Sequence, residues 1–220
     1  MKVYFISGLA ADKRVFKHIQ LPAGFEPVYI DWIDPIKNES LQSYALRLAE
    51  KIKTTEKFSL VGLSMGGMIA TEIAKKYKPV VTILLSSVPT YKQFPARFRL
   101  AYFIRLHKVV PVTFLKSASL VLRLFSSEDI QDRIVLSQVV KDSDTGFIRW
   151  AIGAILQWKN EDIPDSLWHI HGTKDRILPM RNAKPTHIID NGGHLMVMSK
   201  ARELNELLRR MLSSKTESIE

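Results

Sequence analysis

The sequence predicts an α/β fold: a doubly wound, mostly parallel six-stranded sheet with helices on both faces and a helical insertion after the fourth strand. Three observations lead there. Short β-rich runs alternate with stretches of helical apolar spacing, the pattern of a parallel sheet covered on both sides. The runs are nearly continuous in apolar character, as buried strands are. Between the fourth and fifth runs, from Ser86 to about Trp158, no strand is convincing and the chain reads as helical.

The elements follow in order. Lys2–Ser7 (KVYFIS) is the first strand and ends at Gly8. Arg14–Gln20 reads as a short helix, broken by Leu21-Pro22-Ala23-Gly24. Pro27–Ile30 is the second strand, closed by Asp31. Ser40 caps a helix in which Leu41, Tyr44, Ala45, Leu48 and Ile52 keep one face. Phe58–Leu63 is the third strand, and a Gly66-Gly67 turn leads into a helix over Met68–Tyr77. Val80–Leu85, Leu167–Ile170 and Thr186–Ile189 are the remaining strands. A helix over Lys200–Leu212 turns Ala201, Leu204, Leu208 and Met211 inward, and Ser213–Glu220 is a polar, frayed tail. Right-handed crossovers leave few topologies for such a chain. In them the functional crevice opens at the carboxyl ends of the strands, where the strand order reverses. Chemistry is therefore expected on the loops after strands one, three, five and six.

Composition narrows the classes. With 220 residues, 46% of them hydrophobic and 25% charged, the chain has material for one packed domain rather than a disordered one. The absence of cysteine excludes a disulfide scaffold, a thiol nucleophile and a thiolate metal site. No apolar run is long enough to span a bilayer. Lys2 followed by Val3–Ala10 imitates a signal peptide, but the run is brief and interrupted by Ser7 and Gly8, so a cytoplasmic location is expected. The net charge of +10 is concentrated: residues 91–125 carry seven Lys and Arg and no Asp or Glu. That concentration points to a local role.

The loop after the third strand reads Gly62-Leu63-Ser64-Met65-Gly66-Gly67 and satisfies G-x-S-x-G. Such a turn thrusts a serine hydroxyl out of the sheet, with glycines where neighbouring backbone must pass closely. The helix that follows points its free N–H groups at a developing oxyanion. A serine nucleophile needs a base. His194, in the flexible Asn191-Gly192-Gly193-His194 loop after strand six, is the choice. His171, at the end of strand five, is the runner-up or a pocket-lining residue. His187 within a strand, and His18 and His107 on helices, read as packing or solvated residues; His169 shares a strand face with His171. The base needs a carboxylate to set its tautomer. Asp175 in His171-Gly172-Thr173-Lys174-Asp175 lies on the adjacent loop, with Asp31 and Asp144 as alternates.

GLSMGG, HGTKD and NGGH, in this order and after these strands, resemble the α/β-hydrolase fold over nearly the whole chain. The resemblance implies Ser64 as nucleophile, Asp175 as acid and His194 as general base, with the N–H groups of Met65 and Leu9 as oxyanion donors. Gly8, His171, Phe98 and Tyr102 are then expected around the substrate. Two departures stand out. Ser7-Gly8 replaces the His-Gly found in many members, and the family's usual preceding hairpin of two strands is missing. The resemblance also implies domain limits: a core of 1–90 and 159–212, a helical lid of 91–158, and a tail of 213–220. In the lid, Phe94, Phe98, Tyr102, Phe103, Phe114 and Phe125 interleave with the basic residues. Three uses compete: a packed lid with solvated charge, a roof over an acyl chain or anionic ester, and peripheral attachment to an anionic membrane. Nucleic-acid binding is not expected, since no recognised module accompanies the charge.

The expected activity is hydrolysis of a carboxylic ester or thioester, the substrate carrying an apolar acyl part, with no metal or organic cofactor required. The fold also supports lyase, haloperoxidase and carbon–carbon hydrolase chemistry. A ligand-binding or signalling protein that keeps the three residues but turns over slowly is the reading from another class. The absence of Asp at position 64 argues against dehalogenase or epoxide hydrolase chemistry.

Overall fold

A computed structural model of the chain describes residues 1–103 and 129–216. One six-stranded sheet runs through it, built from β1 (Lys2–Ile6), β2 (Glu26–Ile30), β3 (Phe58–Leu63), β4 (Thr82–Leu85), β5 (Leu167–Gly172) and β6 (His187–Ile189). The order is β2-β1-β3-β4-β5-β6, and every pairing is parallel. From β1 the chain steps to one side, to β2, then crosses to the other side for β3. The strand order therefore reverses between β1 and β3, and the loops after these two strands lie side by side.

The eight helices of the described residues cover both faces. These are α1 (Leu41–Leu48), α2 (Met65–Tyr77), α3 (Ala96–Phe103), α4 (Ile130–Asp142), α5 (Thr145–Gln157), α6 (Met180–Ala183), α7 (Met196–Ser199) and α8 (Ala201–Thr216). On one face Tyr44, Leu48, Met65, Met68, Ile69 and Ile73 pack with Phe147, Ala151 and Trp158 from α5 and its end. On the other, Val3, Phe5, Val61 and Ile170 meet Leu136 and Val139 of α4, Met196 and Met198 of α7, and Leu204 and Leu208 of α8. The segment after β4 thus supplies helices to both faces. Its residues 104–128, with Arg105, His107, Lys108, Phe114, Lys116, Arg123 and Phe125, lie outside the described residues, as does the side chain of Tyr102.

The six expected strands are all present. Several helix limits differ from expectation. In place of a helix over 14–20, only a 3₁₀ turn forms at Lys13–Phe16, begun by Asp12, whose side chain accepts from Arg14 N. The helix after Ser40 ends at Leu48 and tightens into a 3₁₀ turn over Ala49–Lys51. Gly66 and Gly67 lie inside the first turn of α2 rather than before it. A glycine turn and a helix start look alike in sequence, and here the missing Cβ atoms serve close packing instead of a bend. At the far end α8 continues to Thr216, past the expected stop at Leu212, with Met211 and Leu212 still buried.

Candidate active site

Ser64 follows the last residue of β3 and precedes the first residue of α2. Its φ of 52° and ψ of −118° are a conformation that L side chains rarely adopt. Strain of this kind costs about 1–3 kcal/mol and persists only where surrounding structure holds it. Here glycines make room. A Cβ on Gly62 would fall on the backbone of Gly66 and Gly67, and one on Gly66 would fall on the carbonyls of Ile6 and Ser7. The Ser64 carbonyl accepts from Gly67 N at 2.9 Å and from the Ser87 hydroxyl at 2.6 Å. A Cβ on Gly67 would sit 2.5 Å from that same hydroxyl. Ser87 went unnoticed in the sequence; its one signal is its place two residues after β4, the strand beside β3.

The loop after β1 passes directly beneath. A Cβ on Gly8 would be 3.3 Å from Ser64 Cβ. Ala11 N bonds to Gly8 O at 3.1 Å, and the Ala11 carbonyl accepts from the Ser7 hydroxyl and the Trp32 indole, each at 2.9 Å. Ser7, which replaces a more usual histidine, thus closes this loop from inside. Leu9 lies at its tip, and Met65 follows Ser64 as the buried first residue of α2.

The loops after β5 and β6 are pressed together. Lys174 N donates to Gly192 O at 2.9 Å and Thr173 N to Ile189 O at 3.1 Å, an approach allowed because a Cβ on Gly172 would strike Gly192. This closeness brings three side chains of distant sequence position into line. His194 Nε2 is 2.9 Å from Ser64 Oγ, and His194 Nδ1 is 2.8 Å from Asp175 Oδ2. The other carboxylate oxygen accepts from Ile177 N at 2.8 Å and Leu178 N at 2.9 Å. Burial by itself pushes the Asp175 carboxyl up. Electrostatic attraction toward His194 and the hydrogen bonds from His171 and His194 outweigh burial and hold it well below the usual carboxylate range. An ionised carboxylate only accepts, so His194 carries its proton on Nδ1 and Nε2 is free to accept from the Ser64 hydroxyl. The arrangement can move a proton from Ser64 to His194 while a fixed negative charge stabilises the imidazolium.

The remaining candidates take no part in the contact between Ser64 and His194. His171 is fully buried, and both ring nitrogens face protein atoms: Nε2 lies 2.7 Å from Leu178 O and Nδ1 lies 3.1 Å from His169 Nε2. It stands behind Asp175, enclosed by Leu178, Asp175 and His169. Phe98 stacks on Phe94 at 5.1 Å. Asp144 caps α5, accepting from Phe147 N at 2.6 Å, and Asp31 follows β2 at the sheet edge opposite β6. His18 pairs with Asp132, and His187 packs against Trp168. Arg97, from the basic segment, donates to the carbonyls of Arg176 and Ile177 on the loop that carries Asp175. Among the described residues no group of three His, Asp or Glu side chains is arranged to hold a metal ion, and no helix is long and apolar enough to cross a membrane.

A parallel sheet with Ser64 on a strained strand-to-helix turn defines the class, and the sequence agrees with it. Residues 3–207 match the model of the alpha/beta hydrolase family, and the chain belongs to that family. Among curated proteins, none matches the sequence. Solved structures show the same fold at low identity. MenH from S. aureus superposes with a TM-score of 0.75 at 17% identity, covering 98% of this chain and 94% of that one. A thermophilic esterase from Thermogutta terrifontis gives 0.72 at 18%, covering 98% and 90%. A bromoperoxidase from Bacillus anthracis gives 0.71 at 17%, covering 96% and 91%. Neighbours so differently named leave the reaction to be argued from the site.

Proposed function

We propose that the protein is a serine hydrolase that cleaves a carboxylic ester or thioester through an acyl-enzyme on Ser64. The observation that carries this reading is the continuous line from Ser64 Oγ to His194 at 2.9 Å and from His194 to Asp175 at 2.8 Å. His194 takes the hydroxyl proton as Ser64 Oγ attacks the substrate carbonyl. Asp175 stabilises the imidazolium without taking the proton itself. The backbone N–H groups of Leu9 and Met65 hold the tetrahedral oxyanion, Met65 with the added field of the α2 N-terminus. Collapse expels the alcohol or thiol, which leaves with the proton from His194. Water then attacks the acyl-enzyme, giving its proton to His194, and release of the acid returns that proton to Ser64.

The partly exposed side chains of Leu9, Phe98 and Ile177, on the loop after β1, on α3 and on the Asp175 loop, support an apolar acyl part. The described start of the basic segment, up to Phe103, is read as part of a lid. Arg97 binds it to the Asp175 loop through backbone carbonyls, which supports roofing of the site over attachment to a membrane. A fluorophosphonate probe is expected to label the wild type and not Ser64→Ala. A folded wild type that takes no label sinks the reading. Nitrophenyl esters of increasing chain length then report the acyl preference.

A further inference from the structure

The proposed chemistry uses one donor on Asp175 Oδ2, yet two imidazoles meet that oxygen. His194 Nδ1 lies 2.8 Å from it and His171 Nε2 lies 3.2 Å from it, both rings buried. Behind His171 stands His169, whose Nε2 is 3.1 Å from His171 Nδ1, the rings nearly perpendicular at 82°. The protons in this line can be assigned. His171 Nε2 faces only acceptors, the Leu178 carbonyl at 2.7 Å and the Asp175 carboxylate, so it carries a proton. On a ring with that single proton Nδ1 accepts, and His169 Nε2–H donates to it. Donors point one way along the line, from His169 through His171 to Asp175.

We propose that His171 is a positioning residue of the site that acts through Asp175: its Nε2–H is a second side-chain donor to Asp175 Oδ2 and moderates the basicity the carboxylate lends to His194. The inference rests on the serine-hydrolase reading above. An oxygen that accepts two hydrogen bonds divides its charge between them, so the imidazolium of His194 is held less strongly than by a carboxylate with one side-chain donor. The two amides on Oδ1 keep Asp175 in place whether or not His171 is present. Loss of the second donor is therefore felt as charge rather than as movement.

Among the described residues, few other charges reach this place. On β5 itself there is His169, which burial foremost, helped by neighbouring His171 and opposed by a backbone hydrogen bond to Ser87, pushes down to about 3. β4, alongside, offers Thr82, Ile83, Leu84 and Leu85, none of them charged. On β6, His187 pairs in register with Ile170 and so points to the opposite face, against Trp168. α6 carries Arg181, which is exposed, and α3 brings Arg97, which reaches only the carbonyls of Arg176 and Ile177.

The test compares wild type, His171→Met, which fills the space without a donor, and His171→Gln, whose amide nitrogen lies near the Nε2 position. The readouts are the ¹⁵N-histidine NMR titration of His194, which needs no turnover, and the acid limb of kcat/KM on a nitrophenyl ester. In His171→Met both are expected to move together to higher pH by roughly half a unit, with kcat falling several-fold, and His171→Gln is expected to restore both. An unmoved His194 titration in His171→Met, or a shift that His171→Gln fails to reverse, overturns the proposal. Should His171→Met not fold, the wild type still decides: ¹⁵N couplings are expected to show His171 protonated at Nε2, and a ring protonated only at Nδ1 overturns it. A wild type that fails to label with fluorophosphonate defeats the hydrolase reading alone, since the NMR titration still reports the coupling between His171 and His194.

Discussion

Gly8 and Ser64 lie on loops separated in the chain by β2, α1 and β3, yet a Cβ on the first would stand 3.3 Å from the Cβ of the second. That distance is tighter than ordinary side-chain packing, so one of the two must yield. Gly8→Ala is expected to lower kcat/KM on a nitrophenyl ester about tenfold by displacing Ser64 Oγ from its attack position. Thermal unfolding should change little, because a contact of 3.3 Å asks its neighbour to give by only a few tenths of an ångström. A variant with wild-type turnover would show that Ser64 tolerates the shift.

Gly66 is a different case, because what its Cβ would meet is backbone, the carbonyls of Ile6 and Ser7. Gly66→Ala must push α2 away from β1 or distort the turn. A loss of about 2–3 kcal/mol in urea unfolding is expected, far more than the helix-propensity gain of the same change elsewhere. An unchanged midpoint would mean that α2 is less firmly seated than its contacts imply.

Two carboxylates can be told apart by their effects. Asp175→Asn puts an amide between His194 and two backbone donors, and turnover is expected to drop by about three to four orders of magnitude. Asp144→Ala removes the cap of α5, where the side chain accepts from Phe147 N. It should cost about 1 kcal/mol of stability and leave turnover alone. The reverse pattern would place the acid on α5.

His169 makes stability depend on pH. Burial foremost, then the adjacent His171 ring, lowers its pKa from 6.5 to about 3 in the fold, against a raising backbone bond to Ser87. Between these values the unfolded chain binds a proton that the folded chain refuses. This contribution is complete above the unfolded value and drains as pH falls toward the folded one, by at most about 1.4 kcal/mol per pH unit. His169→Gln keeps a donor for His171 and removes the titration. Urea unfolding at pH 7 and pH 4.5 is expected to show a shallower loss in the variant. Parallel losses would assign the acid sensitivity to other groups.

Asn160 ties the two stems of the segment between β4 and β5. Its side-chain amide donates to Pro89 O at 2.8 Å, its Oδ1 accepts from Lys75 at 2.6 Å, and its carbonyl accepts from Tyr91 N at 3.0 Å. Asn160→Ala leaves the Pro89 carbonyl and the Lys75 ammonium without this partner, at a cost of about 1–3 kcal/mol. Protection of the Tyr91 amide from hydrogen exchange should fall well beyond what global destabilisation explains. Uniform loss across the molecule would mean that the stems are held by packing instead.

The strands were legible because each is a short, local apolar run whose burial needs no partner to be inferred. Ser64 was legible for the same reason: Gly62, Gly66 and Gly67 mark its bend within six consecutive positions. Helix limits were less so. Gly66 and Gly67 look like a turn until Ile6 and Ser7 are seen to occupy the space where their Cβ atoms would lie. His171 read as an open-site residue because a strand-end histidine before a glycine looks accessible; its burial is decided by Leu178 and Asp175, which fold back over it.

From residues alone follow the class of fold, the bent serine and a short roster of histidines and carboxylates to serve it, since each depends on neighbours within a few positions. The selection of His194 to meet Ser64 and of Asp175 to meet His194, and the second imidazole behind them, belongs to the tertiary structure. Strand order and the close passage of Gly172 against Gly192 set those distances, and neither is a local property of the chain.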